Sequence, residues 1–415
     1  MGKKILILGS GAQGSTVAMR MDEEPNVEKI ICADYNLKAA EEVAKPLNKA
    51  VAIRVDASDK ESIIKAAEGV DLVLNALPLE LYAHVLDATL EAKANYQDFA
   101  TTVTLAEDWP ENFRMMYEDY GPKFATIGRL AVFATGSAPG LICVASRRAV
   151  RELDSCDTII NMVYEGVESK RFIPFWWSPQ TAVYDMGEGG YACENGNIIR
   201  TQQFGREIVR DFDYTGLGPM VMGEHEHDEP LLYCFNSETH FKGLKNAYFK
   251  YGGSGYEWAK PLSRSGFLKY EPIDVNGTDV VPIEFVKSII PPAPKYRQEI
   301  QEIIDEGLVT DSGCMCIEAY GMKDGKKTLV ELHVMAPGLV DSFKRSGLTA
   351  EMYITGQGGA MFTKMFVNDK FHQKGAISSD MLTDEQVDYY FDVAATLDIT
   401  LDIRIKEWDG LSNSG

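Results

Sequence analysis

The fold of this chain is decided near its N-terminus by the stretch Ile5-Leu6-Ile7-Leu8-Gly9-Ser10-Gly11-Ala12-Gln13-Gly14. The four apolar residues predict a buried β-strand, and a helical pattern from Ser15 to Met21 follows the last glycine. In such a strand–turn–helix unit the first glycine makes the tight turn, the second admits a pyrophosphate and the third lets the helix pack on the strand. The helix N-terminus adds free N–H groups and a partial positive charge. This pattern predicts a dinucleotide site formed by Gly9, Ser10, Gly11, Ala12, Gln13 and Gly14.

The end of the second predicted strand indicates which dinucleotide is bound. Ala33-Asp34 closes that strand, and a carboxylate at this place accepts hydrogen bonds from an adenosine ribose and repels a 2′-phosphate. Tyr35 and Asn36 follow, and neither carries a positive charge for that phosphate. We therefore expect NAD as the cofactor, with NADP less favoured. The alternative is a glycine turn that binds no nucleotide.

The first 135 residues alternate short aliphatic runs with amphipathic segments, which predicts a doubly wound parallel sheet. The predicted strands are Lys4–Leu8, Lys29–Ala33, Ala50–Val55, Asp71–Leu77, Tyr96–Phe99 and Leu130–Ala134. Ligands bind outside the carboxyl ends of such strands. Further cofactor contacts are therefore expected from Asp56 and Ala57 after the third strand, and from Asn75, Ala76, Leu77 and Pro78 after the fourth. For Pro78, a simple loop start is nearly as good an interpretation.

The sequence pattern changes after Pro139-Gly140. Longer runs rich in Tyr, Phe and Thr alternate with turn signals such as Asn195-Gly196, which predicts a mixed or antiparallel sheet. The expected fold class is α/β, a Rossmann-type doubly wound parallel sheet plus an α+β domain. We expect a nucleotide domain over 1–138, a substrate and dimerisation domain over 139–345, helices returning to the first domain over 346–400 and a C-terminal tail over 401–415.

The composition excludes several classes of protein. The chain has 415 residues, 41 basic against 62 acidic, and a formal charge of −21, so a phosphate-backbone partner would be repelled and nucleic acid is not expected. No apolar run reaches the roughly 18 residues of a membrane helix. Seven cysteines, sparse and mostly within apolar stretches, favour reduced packing thiols in the cytoplasm.

Several motifs together resemble the saccharopine dehydrogenase-like family. They are the glycine turn with Asp34, the Asn75–Pro78 strand end, Tyr96-Gln97-Asp98 and the segment Gly136–Leu141. Within that family, Trp177-Ser178 followed by Tyr184-Asp185 and an Asn-Gly hairpin is similar to the lysine 6-dehydrogenase branch. The resemblance implies an NAD(P)-dependent dehydrogenase that transfers hydride at a CH–NH₂ or CH–NH donor, an amino-acid substrate and a homodimer.

Oxidation of an amine requires a proton acceptor near the reacting carbon. Three residues are candidates for such catalytic work. Asp98 ends the fifth strand on the ligand side, although a carboxylate there could equally cap the following turn. Tyr82 begins a helix after the Leu77-Pro78 loop, and packing is its alternative role. His240 is placed in a predicted strand, Glu238–Lys242, where a buried core histidine is the more ordinary interpretation.

Substrate contacts are predicted from the region before and within the aromatic run Phe172–Trp177. Lys170 and Arg171 could clamp a carboxylate, since Arg suits bidentate pairing, but two basic residues on a loop are often simply solvated. Trp177, with Trp176, could wall the site and exclude water, or serve as a core aromatic.

Other chemistry is less favoured by the sequence. His225-Glu226-His227 lies among further acids, Glu224, Asp228 and Glu229, which predicts a solvated loop rather than a metal site, and we expect no metal. Cys143 lies among Leu141, Ile142 and Val144, which disfavours a thiol nucleophile.

Three functions remain open. The leading one is an amino-acid dehydrogenase of the lysine 6-dehydrogenase type. The alternatives are a saccharopine or carboxynorspermidine dehydrogenase-type enzyme that forms or cleaves a secondary amine, and a protein of another class that senses NAD without catalysis.

Overall fold

The computed structural model describes residues 2–101 and 104–408, and these divide into two compact units. The first unit combines residues up to Val144 with Tyr353–Leu397. The second combines Ala145–Met352 with the chain from Asp398 onward. The first unit is therefore discontinuous in sequence, and its boundaries fall at 144/145, 352/353 and 397/398.

The first unit is built on a seven-stranded sheet whose neighbouring strands are all parallel. The strands of its N-terminal part are β1 (Lys3–Leu8), β2 (Val27–Asp34), β3 (Ala50–Arg54), β4 (Leu72–Asn75), β5 (Asn95–Asp98) and β6 (Leu130–Phe133). The helices are α1 (Ala12–Asp22), α2 (Leu37–Ala44), α3 (Lys60–Ala66), α4 (Tyr82–Glu91), α5 (Trp109–Arg114), α6 (Gly121–Thr126) and α7 (Leu141–Val150), of which α7 continues into the second unit.

The spatial order of these strands is β3-β2-β1-β4-β5-β6. Because the order reverses beside β1, the carboxyl ends of β1 and β4 flank a switch point where doubly wound folds bind ligands. Ile5 and Leu6 in β1 are fully buried, as expected for a parallel strand covered by helices on both faces. The predicted Rossmann-type sheet is confirmed.

The second unit contains a nine-stranded mixed sheet. The strands of this unit up to residue 335 are β7 (Ser155–Glu165), β8 (Val167–Ser169), β9 (Tyr191–Glu194), β10 (Asn197–Arg200), β11 (Ile208–Arg210), β12 (Met220–Glu224), β13 (Asn246–Gly253), β14 (Ile273–Val275), β15 (Thr278–Val280), β16 (Leu308–Asp311), β17 (Cys314–Lys323) and β18 (Lys326–Met335). The helices are α8 (Pro179–Asp185), α9 (Glu229–Phe235), α10 (Ser237–His240), α11 (Ser254–Arg264), α12 (Pro282–Ile289), α13 (Arg297–Glu306) and α14 (Leu339–Ser346).

The last elements are α15 (Ala350–Val367), β19 (Gly375–Ser378), α16 (Asp384–Ala395) and β20 (Thr400–Glu407). β19 pairs in parallel with β6 and completes the first sheet. In the second unit the main path of the mixed sheet is β10-β9-β13-β7-β17-β18-β20, and the β13–β7 pair is parallel. The α+β domain with a mixed sheet is thereby confirmed.

Four local expectations are corrected. Residues 400–407 are a strand paired antiparallel with β18 rather than part of a tail, because Ile403 and Ile405 alternate with charged residues. The remainder of that predicted tail, 409–415, lies outside the described residues. His240 ends the short helix α10 rather than lying in a strand. Gly375–Ser378 is a strand rather than part of a helix, and helix α16 begins only after the Thr383 capping box. Cys193 and Cys234, expected as reduced thiols, are joined in a disulfide.

No helix in the described ranges is both long and apolar enough to cross a membrane.

Candidate functional site

The glycine turn between β1 and α1 leaves room for a ligand at one place. A Cβ on Gly9, where φ is +100°, would lie 2.4 Å from the Ala76 carbonyl oxygen, and one on Gly14 would lie 1.9 Å from the Gly9 oxygen. A Cβ on Gly11 would meet nothing within 4 Å. The backbone is thus tightly packed on the protein side and open above Gly11, where helix α1 begins with Gly11 as its N-cap.

Two polar side-chain atoms of the turn, Ser10 Oγ and Gln13 Oε1, are buried without a hydrogen-bond partner in the described chain. Buried polar atoms are normally paired, so such atoms beside an open cradle mark a place for a ligand. Together with the N-terminus of the 11-residue helix α1, they suit an anionic pyrophosphate. The residues of the turn therefore fit a dinucleotide.

Asp34 lies beside the turn at the end of β2. Its Oδ2 accepts the Ser10 N–H at 2.9 Å and its Oδ1 accepts the Asn36 N–H at 2.9 Å. Each carboxylate oxygen keeps a second lone pair, which can accept a ribose hydroxyl. The predicted ribose contact thus lies at the predicted edge of the sheet.

A cavity of about 330 Å³ adjoins Asp34 and is large enough for an adenosine group. Its wall includes residues at or after the ends of β1, β2, β3 and β4, namely Leu8, Ala33, Asp34, Tyr35, Val55, Asp56, Ala57, Ser58, Leu77, Pro78 and Leu81. Asp56 accepts hydrogen bonds from the Ser58 side chain and backbone, and these hydrogen bonds lower its pKa. Five of the predicted cofactor contacts therefore line one pocket: Asp34, Asp56, Ala57, Leu77 and Pro78.

Asn75 and Asp98 lie at the same edge but are engaged with their own chain. Asn75 Nδ2 donates to the Tyr96 hydroxyl at 3.1 Å, and its Oδ1 accepts the Leu77 N–H. Asp98 is fully buried and its Oδ1 accepts the Ala134 N–H at 2.8 Å. This is the capping role weighed for Asp98, and its part in proton transfer stays a prediction.

The other two predicted catalytic residues belong to different units. Tyr82 begins α4 in the first unit and is 3% exposed, as its packing role requires. His240 lies in the second unit, where burial and the nearby Arg147 lower its pKa to about 4. A histidine so hard to protonate is a poor proton donor near neutral pH.

The predicted carboxylate clamp is paired within its own chain. Arg171 Nε donates to Glu306 Oε2 at 2.8 Å, and its Nη2 also contacts Glu306. Lys170 Nζ lies close to Gly307. Both basic residues thus lie beside the end of α13. Trp176 is a core aromatic, 1% exposed, whose Nε1 donates to the Val167 carbonyl.

Trp177 belongs to a buried acidic cluster in the second unit that the sequence did not reveal. Four polar atoms are buried here, and none makes a hydrogen bond of good geometry in the described chain: Glu165 Oε2, Glu351 Oε2, Trp177 Nε1 and Tyr251 Oη. Burial, followed by the nearby Glu351 charge, raises the pKa of Glu165, although the neighbouring Tyr251 and Trp177 donors act to lower it, and burial also raises the pKa of Glu351. Within the described ranges, neither carboxylate has a basic side chain within ion-pairing distance. We call these four residues the acidic cluster.

A second group of titratable residues adjoins the acidic cluster, since the rings of His225 and Tyr251 are 4.9 Å apart. Burial lowers the pKa of His225 to about 3, and neither of its ring nitrogens has a hydrogen-bond partner in the described chain. His227 stacks on Phe249 with ring centroids 3.8 Å apart and pairs with the buried Glu229. The stretch 224–229, expected as a solvated loop, is therefore largely buried.

Burial raises the pKa of Glu226 to about 9 and that of Asp185 to about 7 in the same region. Within the described residues, no group of three or more His, Cys, Asp or Glu is arranged to hold a metal ion. A carboxyl group with a pKa this high is protonated and uncharged over much of the neutral range.

Sequence reasoning missed Glu165, Tyr251 and Glu351. Glu165 carries one available signal, because it is an acid at the end of a long apolar strand. Glu351 and Tyr251 carry none, since 186 residues separate Glu351 from Glu165 in sequence and only the fold brings them near.

Comparisons with known proteins agree with this arrangement. Residues 5–132 match the family model described as the saccharopine dehydrogenase NADP binding domain. The chain is 25% identical over 405 residues to the carboxynorspermidine synthase of Vibrio alginolyticus, covering 91% of this chain and 92% of that protein. It is 23% identical over 391 residues to the carboxyaminopropylagmatine dehydrogenase of Synechocystis, covering 90% and 92%.

A solved structure shares the fold. Saccharopine dehydrogenase (L-Glu forming) of Saccharomyces cerevisiae superposes with a TM-score of 0.68 at 15% identity, covering 98% of this chain and 100% of that chain. The resemblance stated from the motifs is confirmed over residues 5–132, which the family model matches, whereas its lysine 6-dehydrogenase branch is not confirmed.

Proposed function

We propose that this chain, a saccharopine dehydrogenase-like NAD(P)-dependent oxidoreductase, forms or cleaves a carboxylated secondary amine. The relatives that align over nine-tenths of its length are named for such compounds, carboxynorspermidine and carboxyaminopropylagmatine. This is the alternative weighed from the sequence, and we favour it over a lysine 6-dehydrogenase.

The observation that carries the proposal is the acidic cluster. An ionised carboxylate buried with no cation beside it is unfavourable, and a bound ammonium group would relieve that cost and favour the ionised form. In that form the same carboxylates would repel the carboxylate of an amino acid. The cluster therefore suits the amine end of a substrate, with Tyr251 and Trp177 offering an aromatic wall to the cation.

In the cleavage direction the reaction is an oxidation at carbon followed by hydrolysis. A bound nicotinamide supplies the hydride acceptor, and the carbon beside the secondary nitrogen loses hydride to leave an iminium ion. Water then adds to the iminium carbon, and the carbon–nitrogen bond breaks to give a primary amine and an aldehyde. Before oxidation the ammonium form of the amine must lose a proton, because only the neutral amine can give up hydride from the neighbouring carbon.

The experiment compares four substrates with the purified full-length chain and either NAD or NADP. Reduction of the cofactor is followed by its absorbance, and the amine product is identified by mass spectrometry. We expect turnover of carboxynorspermidine or carboxyaminopropylagmatine, and none of lysine. Turnover of lysine alone would establish the lysine 6-dehydrogenase type, and turnover of saccharopine alone would indicate an amino-acid rather than a polyamine partner.

A chain that binds NAD but oxidises none of these substrates would instead support the non-catalytic sensing hypothesis. The homodimer and the cytoplasmic location expected from the sequence stay as proposals alongside this one.

A further inference from the structure

Arg54 lies beside the adenosine cavity although it is 20 residues from Asp34 in sequence. It ends β3, and β2 and β3 pair so that Arg54 and Asp34 are direct Cα partners. Its guanidinium lies over the Tyr35 ring, 4.6 Å from the centroid, and Tyr35 lines the cavity. The neighbouring strand thus brings a cation to the place where the sequence near Asp34 showed none.

The guanidinium is held at one end only. Arg54 Nε donates to the Tyr35 carbonyl at 3.2 Å. In the described part of the chain its two terminal nitrogens make no hydrogen bond, and no carboxylate lies within ion-pairing distance. A stacked, oriented guanidinium with open terminal donors is well suited to bind a phosphate through two hydrogen bonds.

Asp34 is less able to repel a phosphate than an isolated carboxylate would be. Both of its oxygens accept backbone N–H groups, from Ser10 and Asn36, and these dipoles offset part of its charge. The Arg54 charge acts at the same edge, since it also helps to lower the pKa of Asp56. The local field at the ribose is therefore less negative than Asp34 alone predicts.

We propose that Arg54 binds the 2′-phosphate of NADP(H) and is the residue that lets this site accept NADP(H) as well as NAD(H). The inference rests on the proposed function only through the nucleotide site, not through the substrate. Its test accordingly uses ligands that undergo no reaction.

The test measures binding of 2′,5′-ADP and 5′-AMP to the full chain by titration calorimetry. These probes differ only in the 2′-phosphate. We expect the wild-type chain to bind 2′,5′-ADP at least as tightly as 5′-AMP. Arg54→Met keeps an aliphatic side chain over the Tyr35 ring but removes the guanidinium. It should weaken the binding of 2′,5′-ADP about tenfold, which is the usual effect of losing one charge-assisted hydrogen bond. Binding of 5′-AMP should change less than about threefold, because the lost contact is to the phosphate alone.

Two further variants complete the test. Arg54→Lys should bind 2′,5′-ADP more tightly than Arg54→Met but less tightly than the wild type. The lysine ammonium keeps the positive charge but cannot make the paired hydrogen bonds of a guanidinium. Lys45→Met removes a similar charge at the far end of α2 and should leave both affinities unchanged.

Three results would overturn the proposal. The first is an equal loss of affinity for both probes in Arg54→Met, which would make Arg54 a stacking residue. The second is no loss of affinity for either probe, and the third is tighter binding of 5′-AMP than of 2′,5′-ADP by the wild-type chain. None of these results bears on whether secondary amines are turned over, so the two proposals fail separately.

Discussion

The backbone N–H of Ser10 donates to Oδ2 of Asp34 across 2.9 Å and so ties the glycine turn to the end of the neighbouring strand. This bond fixes the Asp34 carboxylate beside the open space above Gly11. The ribose and pyrophosphate contacts predicted separately from the sequence therefore belong to one rigid edge of the sheet.

Asp34→Asn tests this edge. The amide has one acceptor oxygen in place of two, so we expect the affinity for NAD to fall about tenfold, as for one hydrogen bond to a charged group. Binding is measured by titration calorimetry. Asp22→Asn is the matched control, because Asp22 also accepts backbone N–H groups, from Asn48 and Lys49, but lies at the far end of α1. An equal loss in both variants would argue against a ribose contact.

Two glycine substitutions should have opposite consequences. Gly14→Ala places a methyl group 1.9 Å from the Gly9 oxygen and should destabilise the fold by about 2 kcal/mol or more. Gly11→Ala meets no protein atom within 4 Å, so the fold should keep its stability while NAD affinity falls. Thermal unfolding and NAD titration of the two variants check this. Full NAD affinity in Gly11→Ala would place the pyrophosphate elsewhere.

Glu165→Gln tests the acidic cluster through the amine substrate. Ionised Glu165 attracts an ammonium and protonated Glu165 does not, and burial raises its pKa above the ordinary 4.5. The KM for the amine should therefore fall as the pH rises through neutrality in the wild type. In Glu165→Gln this pH dependence should flatten and KM should rise about tenfold at high pH, the loss of one charge-assisted contact. Glu168→Gln is the control and should behave as the wild type, because Glu168 is the exposed residue of strand β8.

The same substitution has a consequence for stability. Because the pKa of Glu165 is higher in the folded chain than in the unfolded one, its contribution is complete below pH 4.5 and is lost as the pH rises through the folded value. At alkaline pH, Glu165→Gln should therefore stabilise the free chain, by roughly 1–3 kcal/mol for removal of an unpaired buried group. Urea unfolding at acid and alkaline pH measures the difference. A variant equally destabilised at both would show that Glu165 is paired.

Arg171→Met tests the clamp predicted from the sequence. Its partner Glu306 is exposed, as is the guanidinium, so loss of the pair should cost at most about 1 kcal/mol. Because Arg171 is already engaged with Glu306, the KM for a carboxylated substrate should change less than about twofold. Steady-state kinetics decide the matter, and a tenfold rise in KM would support the clamp.

Local sequence patterns were enough to predict the nucleotide unit. The glycine turn, Asp34 and the alternation of strand and helix are local patterns, and each follows from chain geometry within a few residues. Five of the residues that line the cavity beside Asp34 were likewise predicted, because the carboxyl ends of parallel strands share one edge.

The remaining features could not be predicted in this way, because they depend on contacts between segments that are distant in sequence. Arg54 reaches Tyr35 through the β2–β3 register, and Glu351 approaches Glu165 from a helix that begins 185 residues later. For the stretch 224–229 the prediction was wrong. Its charged residues predict solvent exposure, whereas most of them are buried in the second unit. Burial is set by what packs against a segment, and a segment's own composition does not contain that information.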